Sequence, residues 1–356
     1  MNPVRARGAP PRASRAPNDA YGTLSGVRTL QVLEFIRQHD GVWNLPPHYL
    51  DPLRQEFPSV RFSSPRDQAE ADRLIPETEV VFGWAVNSKN FAAARALRWV
   101  QISAAGVGSL LFPEMVESPV IVTNGRGLHA AAMAEHTIAV LLSFTRKLHL
   151  ARDAQREGRW DQDRLWIEPP PFGELAGSTL GLVGFGSTGR AIGERARAMG
   201  LRVIAIRRHP ASDPAPAEAQ WGPDRLPDLL AEADWLVLAV PLTQETRRLI
   251  GARELARMKP GSVLVNLGRG PLVDEQALIE ALTAGRIAGA ALDVFEREPL
   301  APESPLWSMS NVILTPHVSG FGPRYWERAV ALFRDNLRRY LADEPLINVV
   351  DKRAGY

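Results

Sequence analysis

The sequence predicts an α/β protein made of two doubly wound parallel-sheet domains, and three observations predict it. The apolar run Leu180-Gly-Leu-Val183 leads into the glycine turn Gly184-Phe-Gly186-Ser-Thr-Gly189, which opens a stretch with a helical apolar stripe at Ile192, Ala196 and Met199. From residue 180 onward, short apolar runs alternate with helical segments, the rhythm of a parallel sheet covered on both faces. A shorter version of that rhythm precedes it, between residues 29 and 122. With 356 residues, 45% of them hydrophobic, the chain can fill two cores.

Residues 1–26 are rich in Arg, Ala, Pro and Ser with almost no acid, and are expected to form a disordered extension. Proline-rich sequence makes a poor amphipathic targeting helix, and no secretory apolar segment is present. A first strand is expected at 29–33, then short buried strands at 80–82, 99–102 and 120–122, with a helical stretch near 91–97. One long helix is expected from about Ala130 to Arg156, carrying Ala134, Ile138, Leu141, Leu142 and Leu148. Pro169-Pro-Pro171 then reads as a stiff linker. Strands follow at 180–183, 202–206, 235–239, 262–266, 288–292 and 311–314, with helices at 188–199 and 274–284. A last helix, about 324–342, returns to the first domain, which makes that domain discontinuous.

Strand, glycine turn and helix in this order suit a dinucleotide pyrophosphate. Gly184 permits the tight turn, Gly186 lets phosphates approach the backbone, and Gly189 lets helix and strand pack closely. The helix start at Ser187 and Thr188 then offers unpaired N–H groups and a partial positive charge. The resulting division is a Rossmann-like dinucleotide-binding domain at 123–318 and a substrate domain at 27–122 and 319–356. The end of the second strand of this domain selects the cofactor. An NAD site places an acid there to accept from the ribose 2′-hydroxyl. This chain places Arg207-Arg208-His209, with no carboxylate before Asp213. Two guanidiniums form charge-assisted forks with a 2′-phosphate, so NADP(H) is expected to be preferred, with NAD(H) the alternative cofactor.

Composition closes off other classes. A net charge of +2, with no Lys/Arg run interleaved with aromatics, argues against nucleic acid as a partner. The absence of cysteine excludes disulfides, thiolate metal sites and cysteine nucleophiles. No pair of the seven histidines has a zinc-binding spacing. No apolar run approaches the roughly 20 residues that span a bilayer. A cytoplasmic protein without a metal is expected.

Three late strands end in chemistry-bearing groups, where ligands bind in such sheets. Val265-Asn-Leu-Gly-Arg269-Gly270 ends in an arginine, Asp293-Val-Phe-Glu296-Arg-Glu298-Pro-Leu300 in carboxylates, and Thr315-Pro-His317-Val-Ser-Gly320 in a histidine. Arg269 offers a bidentate, permanently charged fork that suits a carboxylate. Histidine, with an ordinary pKa of about 6.5, suits proton transfer. A neighbouring carboxylate favours the imidazolium and orients the ring.

With these motifs in order, the sequence resembles the D-isomer-specific 2-hydroxyacid dehydrogenases, and the glyoxylate/hydroxypyruvate reductases among them, over about residues 75–350. The stretch from Asn124-Gly-Arg-Gly127 to Met133-Ala-Glu135-His136 and the run Val240-Pro-Leu-Thr243 belong to the likeness. It implies reduction of a 2-keto acid to the D-2-hydroxy acid by a catalytic Arg269, Glu298 and His317: the arginine holds the carboxylate and polarises the carbonyl, the histidine protonates the nascent alkoxide, and the glutamate orients the ring. Its spacing to Pro299-Leu300 selects Glu298 over the nearby Glu296. It also implies cofactor contacts from Pro241 and Thr246, and from Asp293 to the nicotinamide carboxamide, unless Asp293 caps a turn. Ala105 and Gly106, in Ser103-Ala-Ala105-Gly106-Val107-Gly108, carry over as amide donors to the substrate carboxylate. Gly108 departs from the family, which has a capping Asp there, and Ser109 is expected to take over the cap. Phe82-Gly83-Trp84 matches the loop beside the substrate side chain, with Leu110, Phe321 and a partner subunit's Trp326 also expected around that pocket. The family also implies a homodimer built on the coenzyme domain, and the length of the 130–156 helix points the same way. Formate dehydrogenase, phosphoglycerate dehydrogenase and a dinucleotide-sensing corepressor share the scaffold. The first has an amide in place of Glu298, the second usually adds a C-terminal regulatory domain, and the third has no need of an intact Arg269, Glu298 and His317.

Overall fold

A computed structural model describes residues 29–37 and 43–356. The expected extension at 1–26 lies outside the described residues. The first half runs β1 (Leu30–Phe35), α1 (Asp51–Glu56), β2 (Val60–Ser63), α2 (Gln68–Leu74), β3 (Val80–Gly83), β4 (Trp99–Gln101), α3 (Pro113–Glu117) and β5 (Ile121–Thr123). All of its strands are parallel, in the order β2-β1-β3-β4-β5. Connecting helices follow: α4 (Ala130–Thr145), α5 (Leu148–Arg156) and α6 (Gln162–Ile167). The second half runs β6 (Thr179–Val183), α7 (Ser187–Ala198), β7 (Arg202–Ile206), β8 (Ala219–Trp221), α8 (Leu226–Glu232), β9 (Trp235–Leu238), α9 (Ala252–Leu255), β10 (Val263–Asn266), α10 (Glu275–Thr283), β11 (Gly289–Leu292), β12 (Val312–Leu314) and α11 (Tyr325–Leu341).

The second sheet is also wholly parallel, in the order β12-β11-β10-β9-β6-β7-β8. Its strand order reverses between β6 and β9, and that of the first sheet reverses between β1 and β3. Such switch points open crevices at the carboxyl ends of the strands, where ligands bind. Helices cover both faces, so the inner strands read as continuous apolar runs; every residue of β6, β9 and β10 is buried. The C-terminal part packs on the first sheet. Val330, Phe333 and Leu337 of α11 pack with Leu30, Val32, Phe82 and Trp99, and Phe333 stacks on Phe82 at 4.3 Å. Among the described residues, no helix is long and apolar enough to cross a membrane.

Four expectations need correction. The helix foreseen from Ala130 to Arg156 is two helices. Lys147 lies in the left-handed region (φ 50°) and breaks the run. Its buried ammonium donates to the carbonyls of Leu165 and Glu168 at 2.5 Å each, so a tertiary contact overrides local helix propensity. The stretch near 91–97 forms only a 3₁₀ turn, Phe91–Ala93. Strands β2 and β8 were not foreseen. Both are short edge strands with partly exposed, polar-containing sequences, Val-Arg-Phe-Ser and Ala-Gln-Trp. Ser109 makes no cap; Gly108–Leu110 is a 3₁₀ turn closed by the backbone bond from Leu110 N to Val107 O.

Candidate active site and dinucleotide cleft

The glycine turn is shaped by what each position must avoid. Gly184 has φ 102°, and a Cβ there would meet the Ala239 carbonyl oxygen at 2.5 Å. Only glycine lets the end of β6 touch the loop after β9. At Gly189 a Cβ would lie 2.1 Å from the Gly184 carbonyl oxygen, so this position sets the close approach of α7 to the turn. At Gly186 a Cβ would meet nothing within 4 Å. That open floor precedes the first turn of α7, whose amides receive no side-chain cap from Gly186. Free N–H groups on a helix start with clear space in front fit a pyrophosphate. Ser187 is exposed there, and the Thr188 hydroxyl donates to Met133 Sδ at 3.9 Å.

Arg207 and Arg208 follow β7 at the far end of the cleft. Arg207 is half-buried and its backbone N–H donates to the Trp221 carbonyl at 3.0 Å. Arg208 is exposed, and its Nη2 donates to Glu245 Oε2 at 2.6 Å. The loop after β9 is self-braced: the Thr246 hydroxyl donates to the Pro241 carbonyl at 2.7 Å and accepts from Thr243 N at 2.8 Å. Thr246 thus spends its hydroxyl within the loop, while Pro241 remains exposed on the cleft side of β9.

The three strand-end motifs converge. His317 Nδ1 stands 2.7 Å from Glu298 Oε2, and Glu298 Oε1 accepts from Phe295 N at 3.1 Å. The rival carboxylate, Glu296, turns away to Arg248 at 3.6 Å. His317 adopts φ 55°, an uncommon region for a residue with a Cβ. Buried Asp293 holds it there. Asp293 Oδ1 accepts from the Thr315 hydroxyl at 2.6 Å and Val318 N at 2.9 Å, and Oδ2 accepts from Ser319 N at 3.0 Å. Of the two roles expected for Asp293, the turn cap is the one its contacts display. Arg269 is half-buried between glycines. A Cβ on Gly270 would lie 1.8 Å from the Phe295 carbonyl oxygen, so the β10 and β11 loops touch through backbone. Across the cleft, a Cβ on Gly106 would lie 2.4 Å from Arg269 Nη2. The exposed Gly106 therefore lies directly against the guanidinium, and Asn124 fixes the Ala105–Gly106 loop by donating to the Ala105 carbonyl at 2.7 Å.

His129, which no sequence motif marks, stands at the N-cap position of α4 and lies within the electrostatic reach of Arg269 and His317. Burial pushes it below the ordinary histidine range, and it pairs through Nδ1 with the Gly320 carbonyl at 2.9 Å. A neutral ring must then carry its proton on Nδ1. A lone histidine at a helix start has no spacing signal to reveal it. Trp84 is half-buried and borders a cavity of about 190 Å³ with Ile36, Arg37 and Trp43, at the switch point of the first sheet. Phe321 stacks on Trp43 at 4.8 Å, and Trp326 packs 5.3 Å from Trp43 within the same chain. Leu110 does not line this pocket; it is core.

Comparison with known proteins shows the family. Residues 138–319 match the model of the D-isomer specific 2-hydroxyacid dehydrogenase, NAD binding domain. The glyoxylate reductase of Pyrococcus furiosus is 37% identical over 318 residues, covering 86% of this chain and 93% of the relative. The chain belongs to the D-isomer specific 2-hydroxyacid dehydrogenase family. It is accordingly an NAD(P)-dependent oxidoreductase with a nicotinamide dinucleotide site. Among solved members of the family, the enzyme of Xanthobacter autotrophicus Py2 in complex with NADPH and MES superposes with a TM-score of 0.76 at 30% identity, covering 92% of this chain and 100% of that one. The NADPH-dependent glyoxylate/hydroxypyruvate reductase of Sinorhizobium meliloti, in complex with NADP and sulfate, gives 0.76 at 28% identity, over the same shares of the two chains.

Proposed function

We propose that the protein reduces a small 2-keto acid, of the glyoxylate or hydroxypyruvate kind, to the D-2-hydroxy acid, with NADPH preferred over NADH. The observation that carries it is the 2.7 Å contact between His317 and Glu298, beside the Gly270–Phe295 backbone contact that joins the Arg269 loop to it, with Gly106 against the Arg269 guanidinium. The names of the Pyrococcus and Sinorhizobium relatives support the substrate class.

Each residue has a distinct task. Arg269 and the two amides bind the substrate carboxylate, and the arginine polarises the keto oxygen. His317 donates a proton to that oxygen as it becomes an alkoxide, through Nε2, because Nδ1 faces Glu298. Glu298 is a positioning residue: it fixes the ring through Nδ1. Bound nicotinamide supplies the hydride. Gly184, Gly186, Ser187, Thr188 and Gly189 cradle the pyrophosphate, Pro241 and Thr246 shape the loop beside it, and Arg207 and Arg208 receive the 2′-phosphate. Trp84 limits the substrate side chain, which favours small acids.

The substrate domain is assigned to 27–122 with 319–356 and the dinucleotide domain to 123–318, in the cytoplasm. A homodimer is the expected assembly. Trp160, Trp166 and Ile167 are 90%, 73% and 76% exposed around α6, a quantity of open apolar surface that a second copy would cover. Light scattering should give twice the chain mass at micromolar concentration.

The test of function is a panel of glyoxylate, hydroxypyruvate, pyruvate, 2-ketoisocaproate and phenylpyruvate, with the product resolved by chirality. Glyoxylate or hydroxypyruvate should give the highest kcat/KM, and chiral products should be the D isomers. Absence of turnover across the panel, or an L product, would reject the assignment.

A further inference from the structure

Tyr356 belongs to none of the motifs above, yet it reaches the cofactor-selecting turn. Its hydroxyl accepts from Arg208 Nη1, and the Arg208 Cζ lies 5.3 Å from its ring centroid. The opposite side of the same guanidinium, Nη2, donates to Glu245. Three separate stretches thus meet at one fork: the turn after β7, the loop after β9, and residues 351–356, which are anchored on the five-stranded sheet.

That anchoring is extensive. Val350 N donates to the Val122 carbonyl at 2.8 Å. Lys352 Nζ donates to the carbonyls of Met115, Ser118 and Val120 at 2.8, 2.6 and 3.1 Å. Asp351 Oδ1 accepts from Arg353 N and Ala354 N at 3.0 and 2.9 Å, and Gly355, at φ 84°, turns the chain so that Asp351 N donates to the Tyr356 carbonyl at 3.0 Å. Tyr356 is therefore delivered to Arg208 by a fixed turn on the other sheet.

Resting on the assignment of Arg208 to the 2′-phosphate, we propose that Tyr356 and Glu245 tune that site from opposite sides. Tyr356 is a positioning residue that holds the guanidinium in place, and Glu245 is an internal competitor that the phosphate displaces. A tyrosine hydroxyl is neutral and occupies one of five guanidinium donors, leaving the others for phosphate. An arginine already held loses less rotamer freedom on binding. Glu245 carries a charge, is 76% exposed and pairs in open solvent, so its contact is weak and exchangeable. A phosphate, with more charge and three acceptor oxygens, replaces it; a ribose hydroxyl does not. With NADH the fork stays with Glu245, so Tyr356 raises the preference for NADPH and Glu245 moderates it, neither by contact with the ribose.

The test is titration of NADPH and NADH by protein fluorescence on the wild type, Tyr356→Phe, Tyr356→Leu, Glu245→Gln and Arg208→Ala, with kcat measured at saturating NADPH. Both tyrosine variants should raise the NADPH Kd, Tyr356→Leu by about three- to tenfold, the size of one exposed charge-assisted contact. Glu245→Gln should lower it severalfold. The NADH Kd and kcat should not move. Tyrosine variants that bind NADPH like the wild type, or that weaken both cofactors alike, overturn the positioning role, and a weaker NADPH Kd in Glu245→Gln overturns the competitor. These outcomes count while Arg208→Ala weakens NADPH. If it does not, the phosphate assignment itself falls and this proposal falls with it.

Discussion

The two ends of the dinucleotide cleft are built by opposite rules. At the corner proposed for catalysis every group is over-determined. The His317 loop hangs on three hydrogen bonds to the buried Asp293, Glu298 is pinned by Phe295 N, and Gly270 lets two strand-end loops touch through backbone. At the ribose end, Arg208 sits exposed on a turn, and Glu245 and Tyr356, which hold it, come from surface segments. Proton transfer and carbonyl polarisation need a geometry good to a fraction of an ångström. Cofactor choice needs only a charge of the right sign in the right place. The first therefore demands motifs with glycines and buried acceptors, and the second can be rewritten by two surface substitutions.

This contrast can be broken most forcefully at His317. His317→Ala should lower kcat by about a hundredfold to ten-thousandfold, the usual worth of a general acid, and leave the NADPH Kd unchanged. A parallel loss of NADPH binding would blur the division between the two ends. Asp293→Ala comes next. It strands Val318 N, Ser319 N and the Thr315 hydroxyl, so denaturant unfolding should show a loss of about 3 kcal/mol, with kcat falling as the His317 loop relaxes. Full retention of stability and activity would mean that the brace is dispensable.

Glu298→Gln should act more gently: the ring loses its charged partner at Nδ1, so kcat should fall by less than in His317→Ala while the NADPH Kd holds. An unchanged kcat would sever Glu298 from His317. The smallest effect concerns the histidines behind the corner. Burial holds His129 and His136 below the ordinary value of 6.5 in the folded protein. Both are kept neutral, so their contribution is intact above about pH 6.5, the unfolded value, and is lost as pH falls toward the folded values. His129→Gln should flatten the decline of Tm between pH 6.5 and 5; a decline as steep as in the wild type would remove His129 from that account.

Much of this was legible in the residues. The strands of the second sheet are buried on both faces, so their apolar runs declare themselves, and the glycines mark where backbone meets backbone. Arg269, Glu298 and His317 announce themselves because each ends such a run. The edge strands β2 and β8 were hidden because half-exposed sequences lack that pattern. The break at Lys147 was hidden because its cause is two carbonyls some twenty residues downstream. His129 and Tyr356 were invisible for the same reason: each acts through a contact made only when distant parts of the chain fold together.

The most direct test of the central claim is the ratio of kcat/KM for NADPH to that for NADH, with one good 2-keto acid, in the wild type and in Arg207→Asp with Arg208→Ala. Each charged contact to phosphate corresponds to about 1.5–3 kcal/mol, so the two arginines together should make the wild type prefer NADPH by some tenfold to thousandfold. The double variant should lose that preference through a higher KM for NADPH, with kcat little changed. A wild type that uses NADH as well or better would contradict the account, and would reduce the Arg207-Arg208 turn to solvated surface.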